Sequence, residues 1–241
     1  MQILSIGNSF SQDAQAYLYR MNKNLVTVNL FIGGCSLETH YRNMMGDYRA
    51  YRLELCGVSS GFSMSIKEAL LSRKWDVITL QQVSSASFVY DSYMPYIQAL
   101  ANYVRRMCPS AKLYLHETWG YESGTDRIAR TGFSSMEQMS EAVFATYEKV
   151  AKEISADGII PSGHGLLALS KAQDAPVHRD GSHADLGIGR YMLGCIWYEA
   201  LFGKPITETH FSDFDVSVSP EAAALVREVA HETMNQFKLR Q

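Results

Sequence analysis

Short apolar, β-branched runs recur along the chain, each separated from the next by a stretch of helical character, and this alternation limits the folds open to it. The runs are residues 1–6 (MQILSI), 25–32 (LVTVNLFI), 75–80 (WDVITL), 113–116 (LYLH) and 158–161 (GIIP). Strands alternating with helices predict about five parallel strands, covered on both faces in a three-layer α/β/α sandwich of flavodoxin-like type. The functional edge of such a sheet lies at the carboxyl ends of its strands.

The intervening segments carry helix signals. Ala14, Tyr17, Leu18 and Met21 recur at helical spacing, with a start at about Ser11, and Ser36 is placed to cap a helix to about residue 45. Ser65 with Glu68, and Ser135 with Gln138, form capping boxes. Residues 92–107 read as a helix ended by Cys108-Pro109, and 165–172 as another. Residues 184–202, apolar on most faces and stopped by Gly203, read as a buried helix. Ser219-Pro220 opens a last helix to about 237. Residues 47–63 hint at alternation and suggest an excursion or hairpin, and 117–134 suggest a long loop. No repeat, low-complexity tract or linker interrupts the 241 residues. One domain over 1–241 is expected, its core about 1–203 and its C-terminal helix, 219–237, packed on it.

The first run leads directly into Gly7-Asn8-Ser9-Phe10. A serine on a tight strand-to-helix turn is held at the sheet edge with its hydroxyl exposed. Such a hydroxyl is a weak nucleophile until a base takes its proton and donors steady the oxyanion. Asp180-Gly181-Ser182-His183 supplies the base: Asp180 can fold back onto the imidazole Nδ1, leaving Nε2 for Ser9. The backbone N–H groups of Ser9 and of Gly34 (or Gly33), with a side-chain amide from Gln82 (or Gln81), are the candidate oxyanion donors. Trp119, ending the fourth run in His116-Glu117-Thr118-Trp119, is placed either to stack on substrate or to pack beneath the loop. Ser84 and Gln81 are further substrate-contact candidates; Phe88, Tyr90 and Tyr121 are weaker rim candidates that read as structural residues in preference.

These features resemble the SGNH (GDSL-type) hydrolases over roughly residues 1–203: Gly7-Asn8-Ser9 after the first strand, a glycine after the second, a polar amide after the third, and Asp180-x-x-His183 near the C-terminus. The resemblance implies Ser9 as nucleophile, Gly34 as oxyanion donor, His183 as base and Asp180 as its orienter. The family's aspartate before the serine is Asn8 here. Its Gly-x-Asn-Asp block is replaced by Gln81-Gln82-Val83-Ser84, similar to the glutamine-containing block of some carbohydrate-esterase branches. The implied function is a serine esterase removing a small acyl group, best matched by acetyl on a carbohydrate. Alternatives are a glycan-binding protein on the same fold, an acyltransferase, or a longer-chain lipase or thioesterase.

A net charge of -3 gives no electrostatic basis for nucleic-acid or anionic-membrane partners. Cys35, Cys56, Cys108 and Cys195 are widely spaced without a C-x-x-C pair, which favours buried free thiols. No metal-ligand spacing joins His116, His178, Asp180 and His183, and neither G-x-G-x-x-G nor G-K-[ST] occurs, so neither a metal nor another cofactor is expected. His164 reads as a helix-start residue, and His40, His210 and His231 as surface residues. With the first strand starting at residue 1, the expected location is cytoplasmic, or secreted or periplasmic if a leader has been removed.

Overall fold

The computed structural model describes residues 1–239. A seven-stranded sheet runs through it, built from β1 (Gln2–Gly7), β2 (Val26–Phe31), β3 (Tyr51–Leu55), β4 (Val58–Met64), β5 (Val77–Leu80), β6 (Lys112–His116) and β7 (Gly158–Ile160), in the order β4-β3-β2-β1-β5-β6-β7. The expected five parallel strands are β2-β1-β5-β6-β7, paired in parallel throughout. Renumbered among themselves they follow the order 2-1-3-4-5, that of flavodoxin-like sheets, with the topological switch beside β1.

The sheet is wider than expected, because residues 51–64 form a hairpin that extends it antiparallel along β2. Its polarity hides it in the sequence. Glu54 is a buried strand residue that accepts from Gln12 on the first helix, from Asn29 on β2 and from Arg52. The outer strand β4 is mostly exposed and bulged.

The helices are α1 (Ser9–Gln15), α2 (Leu18–Met21), α3 (Leu37–Met45), α4 (Ile66–Leu71), α5 (Tyr96–Met107), α6 (Asp126–Ala129), α7 (Met136–Glu153), α8 (Ser162–Ala172), α9 (Ile188–Phe202) and α10 (Pro220–Lys238). Right-handed crossovers place helices following leftward and rightward strand steps on opposite faces. Accordingly α3, α4 and α5 pack together, while α9 packs on α1, α8 and α10. The expected helix over 92–107 starts later, at Tyr96 after Pro95, and the long loop after β6 contains the short α6.

The core strands carry a few internal polar residues that fix register. Ser5 lies opposite Asn29 on β2 and Thr79 on β5. Its Oγ bonds Thr79 Oγ1 at 2.7 Å and accepts from Gln15 Nε2 at 2.6 Å, joining two strands and α1 inside an otherwise apolar core. The cysteines are free; Cys35, Cys108 and Cys195 are buried. Among the described residues no helix is long and apolar enough to cross a membrane.

Candidate active site

The turn after β1 is shaped by three residues. Gly7 admits no side chain, since a Cβ there would lie 2.2 Å from Ser11 Oγ. Asn8 caps α1: its Oδ1 accepts from Phe10 N–H at 2.9 Å, while its own N–H donates to Ser11 Oγ at 3.0 Å. This reciprocal cap starts the helix at Ser9, two residues before the start at about Ser11 that the sequence pattern predicts. Ser9 is therefore the first helical residue, half-buried at the carboxyl end of β1. Asn8 Nδ2 also donates to Cys35 O at 3.2 Å, a contact that a carboxylate could not make. The asparagine in place of the family's aspartate thereby ties the Ser9 turn to the Gly33-Gly34-Cys35 loop.

The second half of the site comes from the loop before α9. Asp180 Oδ1 accepts from the N–H groups of Ser182 and His183 at 3.1 and 2.9 Å, and Gly181 takes the left-handed conformation the turn needs, with φ +81°. Asp180 Oδ2 accepts from His183 Nδ1 at 2.7 Å, and His183 Nε2 lies 2.9 Å from Ser9 Oγ. With Nδ1 donating, Nε2 carries the lone pair that faces the serine hydroxyl. Burial alone would raise the Asp180 pKa. The hydrogen bonds from the His183 backbone, the His183 imidazole and the Ser182 backbone outweigh it and hold the carboxyl well below its usual range. Phe10 packs beside the imidazole at 5.7 Å and stacks on Trp119 at 4.0 Å.

The structure overturns the favoured oxyanion amide and decides between the two readings of Trp119. Gln82 does not face Ser9. Its Nε2 donates to Ser92 O and Oγ at 2.9 and 3.0 Å, and its Oε1 accepts from Leu37 and Val83 N–H, both at 2.9 Å, so its amide is saturated away from the site. Gln81 is the glutamine at the turn, donating to Asn8 Oδ1 and accepting from His116 Nδ1, each at 2.7 Å. Its second amide hydrogen has no partner among the described residues. Trp119 is wholly buried, with its Nε1 donating to Ser182 O at 2.7 Å, so it packs beneath the Asp180–His183 loop and offers no face to a ligand.

Gly34 is exposed with φ +62°, and neither its N–H nor that of Ser9 donates a hydrogen bond among the described residues. Ser84 is nearly buried and bonds Tyr121 OH at 2.8 Å. Phe88 packs edge-on against Phe133, and Tyr90 bonds Glu153. His116 and His178 are buried, and His178 Nε2 donates to Gly120 O at 3.0 Å. His40 is fully buried against Tyr51, not on the surface, and His231 is half-buried on Glu199; His210 is exposed. His164 begins α8 paired to the buried Glu117.

Sequence patterns do not single out Asp13, Arg179, Arg190 or Phe10. The available signal was spacing: Phe10 follows Ser9, Asp13 falls one helical turn beyond it, and Arg179 directly precedes Asp180.

Strand order and site placement define an α/β protein of the SGNH-hydrolase fold. A candidate SGNH hydrolase from Slackia heliotrinireducens superposes with a TM-score of 0.57 at 18% identity, covering 97% of this chain and 98% of that one. An acetyl-xylooligosaccharide esterase from Geobacillus superposes with a TM-score of 0.52 at 14% identity over 82% and 92% of the two chains. More specifically, the chain belongs to the DUF4886 family, a domain of unknown function whose family model matches residues 2–233. A DUF4886 protein from Bacteroides uniformis has a TM-score of 0.90 at 33% identity, covering 98% of this chain and 95% of that one. No curated protein matches the sequence.

Proposed function

We propose that this protein is a serine esterase that releases a short acyl group, best matched by acetyl on a carbohydrate. One observation carries the reading: the continuous relay from Asp180 Oδ2 through His183 Nδ1 and Nε2 to Ser9 Oγ, with contacts of 2.7 and 2.9 Å. In the proposed reaction His183 Nε2 takes the Ser9 proton as Oγ bonds the ester carbonyl carbon. Asp180, ionised throughout the range in which an imidazole acts as a base, supports the imidazolium. The negative oxygen of the tetrahedral intermediate meets the unpartnered N–H groups of Ser9 and Gly34 and the free amide hydrogen of Gln81. The imidazolium returns its proton to the departing alkoxide as the carbon–oxygen bond breaks, leaving an acyl-serine. Water, deprotonated by the same imidazole, then releases the acid.

A short acyl group is consistent with the buried Phe10–Trp119 stack, which packs beside the His183 imidazole and, among the described residues, presents no open apolar channel there. The carbohydrate is proposed from the glutamine-containing Gln81-Gln82-Val83-Ser84 block together with the fold shared with an acetyl-xylooligosaccharide esterase. The test is hydrolysis of p-nitrophenyl acetate against butyrate and octanoate, wild type beside Ser9→Ala. Ser9-dependent release favouring acetate is expected, followed by deacetylation of acetylated xylo-oligosaccharides. Release that persists in Ser9→Ala overturns the assignment of the nucleophile. Release from acyl-Ser9 that quickens on adding free sugar identifies a transferase instead.

A further inference from the structure

Asp13 lies one turn beyond Ser9 on α1 and is completely buried. A buried carboxylate is tolerated only where cations meet it with good geometry. Here Arg179 Nη1 donates to Oδ1 and Oδ2 at 3.0 and 2.9 Å, and Arg190 Nε donates to Oδ1 at 2.9 Å, with Nη2 also 2.9 Å away. The two arginines bracket the loop that carries the base: Arg179 directly precedes Asp180, and Arg190 lies in the first turn of α9. Arg179 also reaches Ala184 O through its side chain, and its backbone N–H donates to His183 O at 3.0 Å.

One carboxylate on the nucleophile's helix therefore holds both ends of the loop bearing the histidine. Its grip is extended outward, since Arg190 Nη1 is 3.5 Å from Asp215 Oδ2 and Arg20 Nη2 is 2.8 Å from Asp215 Oδ1. Tyr17, also behind Ser9, donates from its hydroxyl to Leu186 O. The pair being held is not immobilised by burial, because the side chains of Asp180 and His183 are 40% and 24% exposed. Ser9 and His183 stand 174 residues apart in the chain. A contact between such distant partners keeps its length only if their supports are locked to one another.

We infer that Asp13 and Arg179 are positioning residues that set the Ser9–His183 distance, a role distinct from the proton relay itself. The inference rests on the esterase reading for its kinetic consequence but has a structural consequence of its own. Arg179→Met is the informative variant, since Arg190 still neutralises Asp13 and the fold is retained. It is expected to lower kcat and the rate of fluorophosphonate labelling of Ser9 by about tenfold to a hundredfold. KM should stay within about twofold, because the substrate's ground-state contacts are untouched. Arg179→Lys should restore part of the loss by returning the charge, and Asp13→Asn should reproduce it. The downfield proton resonance of His183 Nδ1, held against Asp180, should be sharp in wild type and broadened or lost in Arg179→Met.

A folded Arg179→Met protein with wild-type kcat, labelling and imidazole resonance overturns the inference. If wild type itself fails to label at Ser9, the esterase reading falls, and the resonance alone decides the clamp: its loss in the variant upholds the clamp and its retention overturns it.

Discussion

At the scale of single residues, the site depends on which amide and which carboxylate occupy each place. Gln81 and Gln82 are adjacent and chemically identical, yet alternation along an extended backbone sends them to opposite sides. Only Gln81 stays at the Ser9 turn. Gln81→Leu is expected to lower kcat about a hundredfold, the cost of one oxyanion donor. Gln82→Leu should act chiefly on stability, because it unties Leu37 and Ser92; kcat and melting temperature measured on both variants separate the two. Ser9→Ala and His183→Ala should each lower turnover by more than about a thousandfold with an unchanged circular dichroism spectrum. Asp180→Asn leaves the imidazole without its anionic partner and should reduce kcat strongly. The hydrogen bonds that depress the Asp180 carboxyl also make it stabilising. Since its folded pKa lies below its unfolded one, that contribution is complete above the ordinary carboxylate range, begins to shrink as pH enters it and is lost as pH falls on toward the depressed folded value. The wild-type stability advantage over Asp180→Asn should shrink accordingly in chemical denaturation between about pH 5 and pH 3.

At the scale of elements, the parallel strands and their capped helices were legible because each carries a local signal. Within the run WDVITL, Val77–Leu80 is buried as β5, and Ser65 and Glu68 cap α4 reciprocally. The β3–β4 hairpin was legible only as an excursion. Its inner strand places Glu54 in the interior, and the outer one, VSSGFSM, has neither alternation nor an apolar face. Its attachment to the sheet depends on residues far away in the chain, namely Asn29 on β2 and Gln12 on α1. Glu54→Ala should leave those two amides unsatisfied and lower stability by about 1–3 kcal/mol in urea denaturation. Ser5→Ala belongs to the same scale. It removes the shared partner of Thr79 and Gln15 and should cost a similar amount, about 1–3 kcal/mol, without altering catalysis.

At the scale of the molecule, stability and pH are linked through histidines that folding buries. Burial lowers His40 and His116 to about 3 and His178 to about 4, all below the ordinary value of 6.5. The unfolded chain therefore binds more protons than the folded one between those limits. Protonation favours the unfolded chain in that window: no penalty acts above about pH 6.5, and the penalty grows as pH falls toward 3 to 4. Melting temperature should be nearly level between about pH 7 and 8 and fall steeply below about pH 6.5. His40→Phe should make that slope shallower even if it lowers the melting temperature overall. By itself the sequence determined the alternation of strands and helices, the turn that exposes Ser9, and the pairing of Asp180 with His183, because each is written in neighbouring residues through periodicity, capping and turn chemistry. The tertiary structure alone decided that Trp119 and His40 are interior, that Gln81 rather than Gln82 meets the turn, and that Asp13 joins Arg179 and Arg190. Burial and ion pairing are made between segments far apart in the chain, and no local pattern records which distant group will arrive.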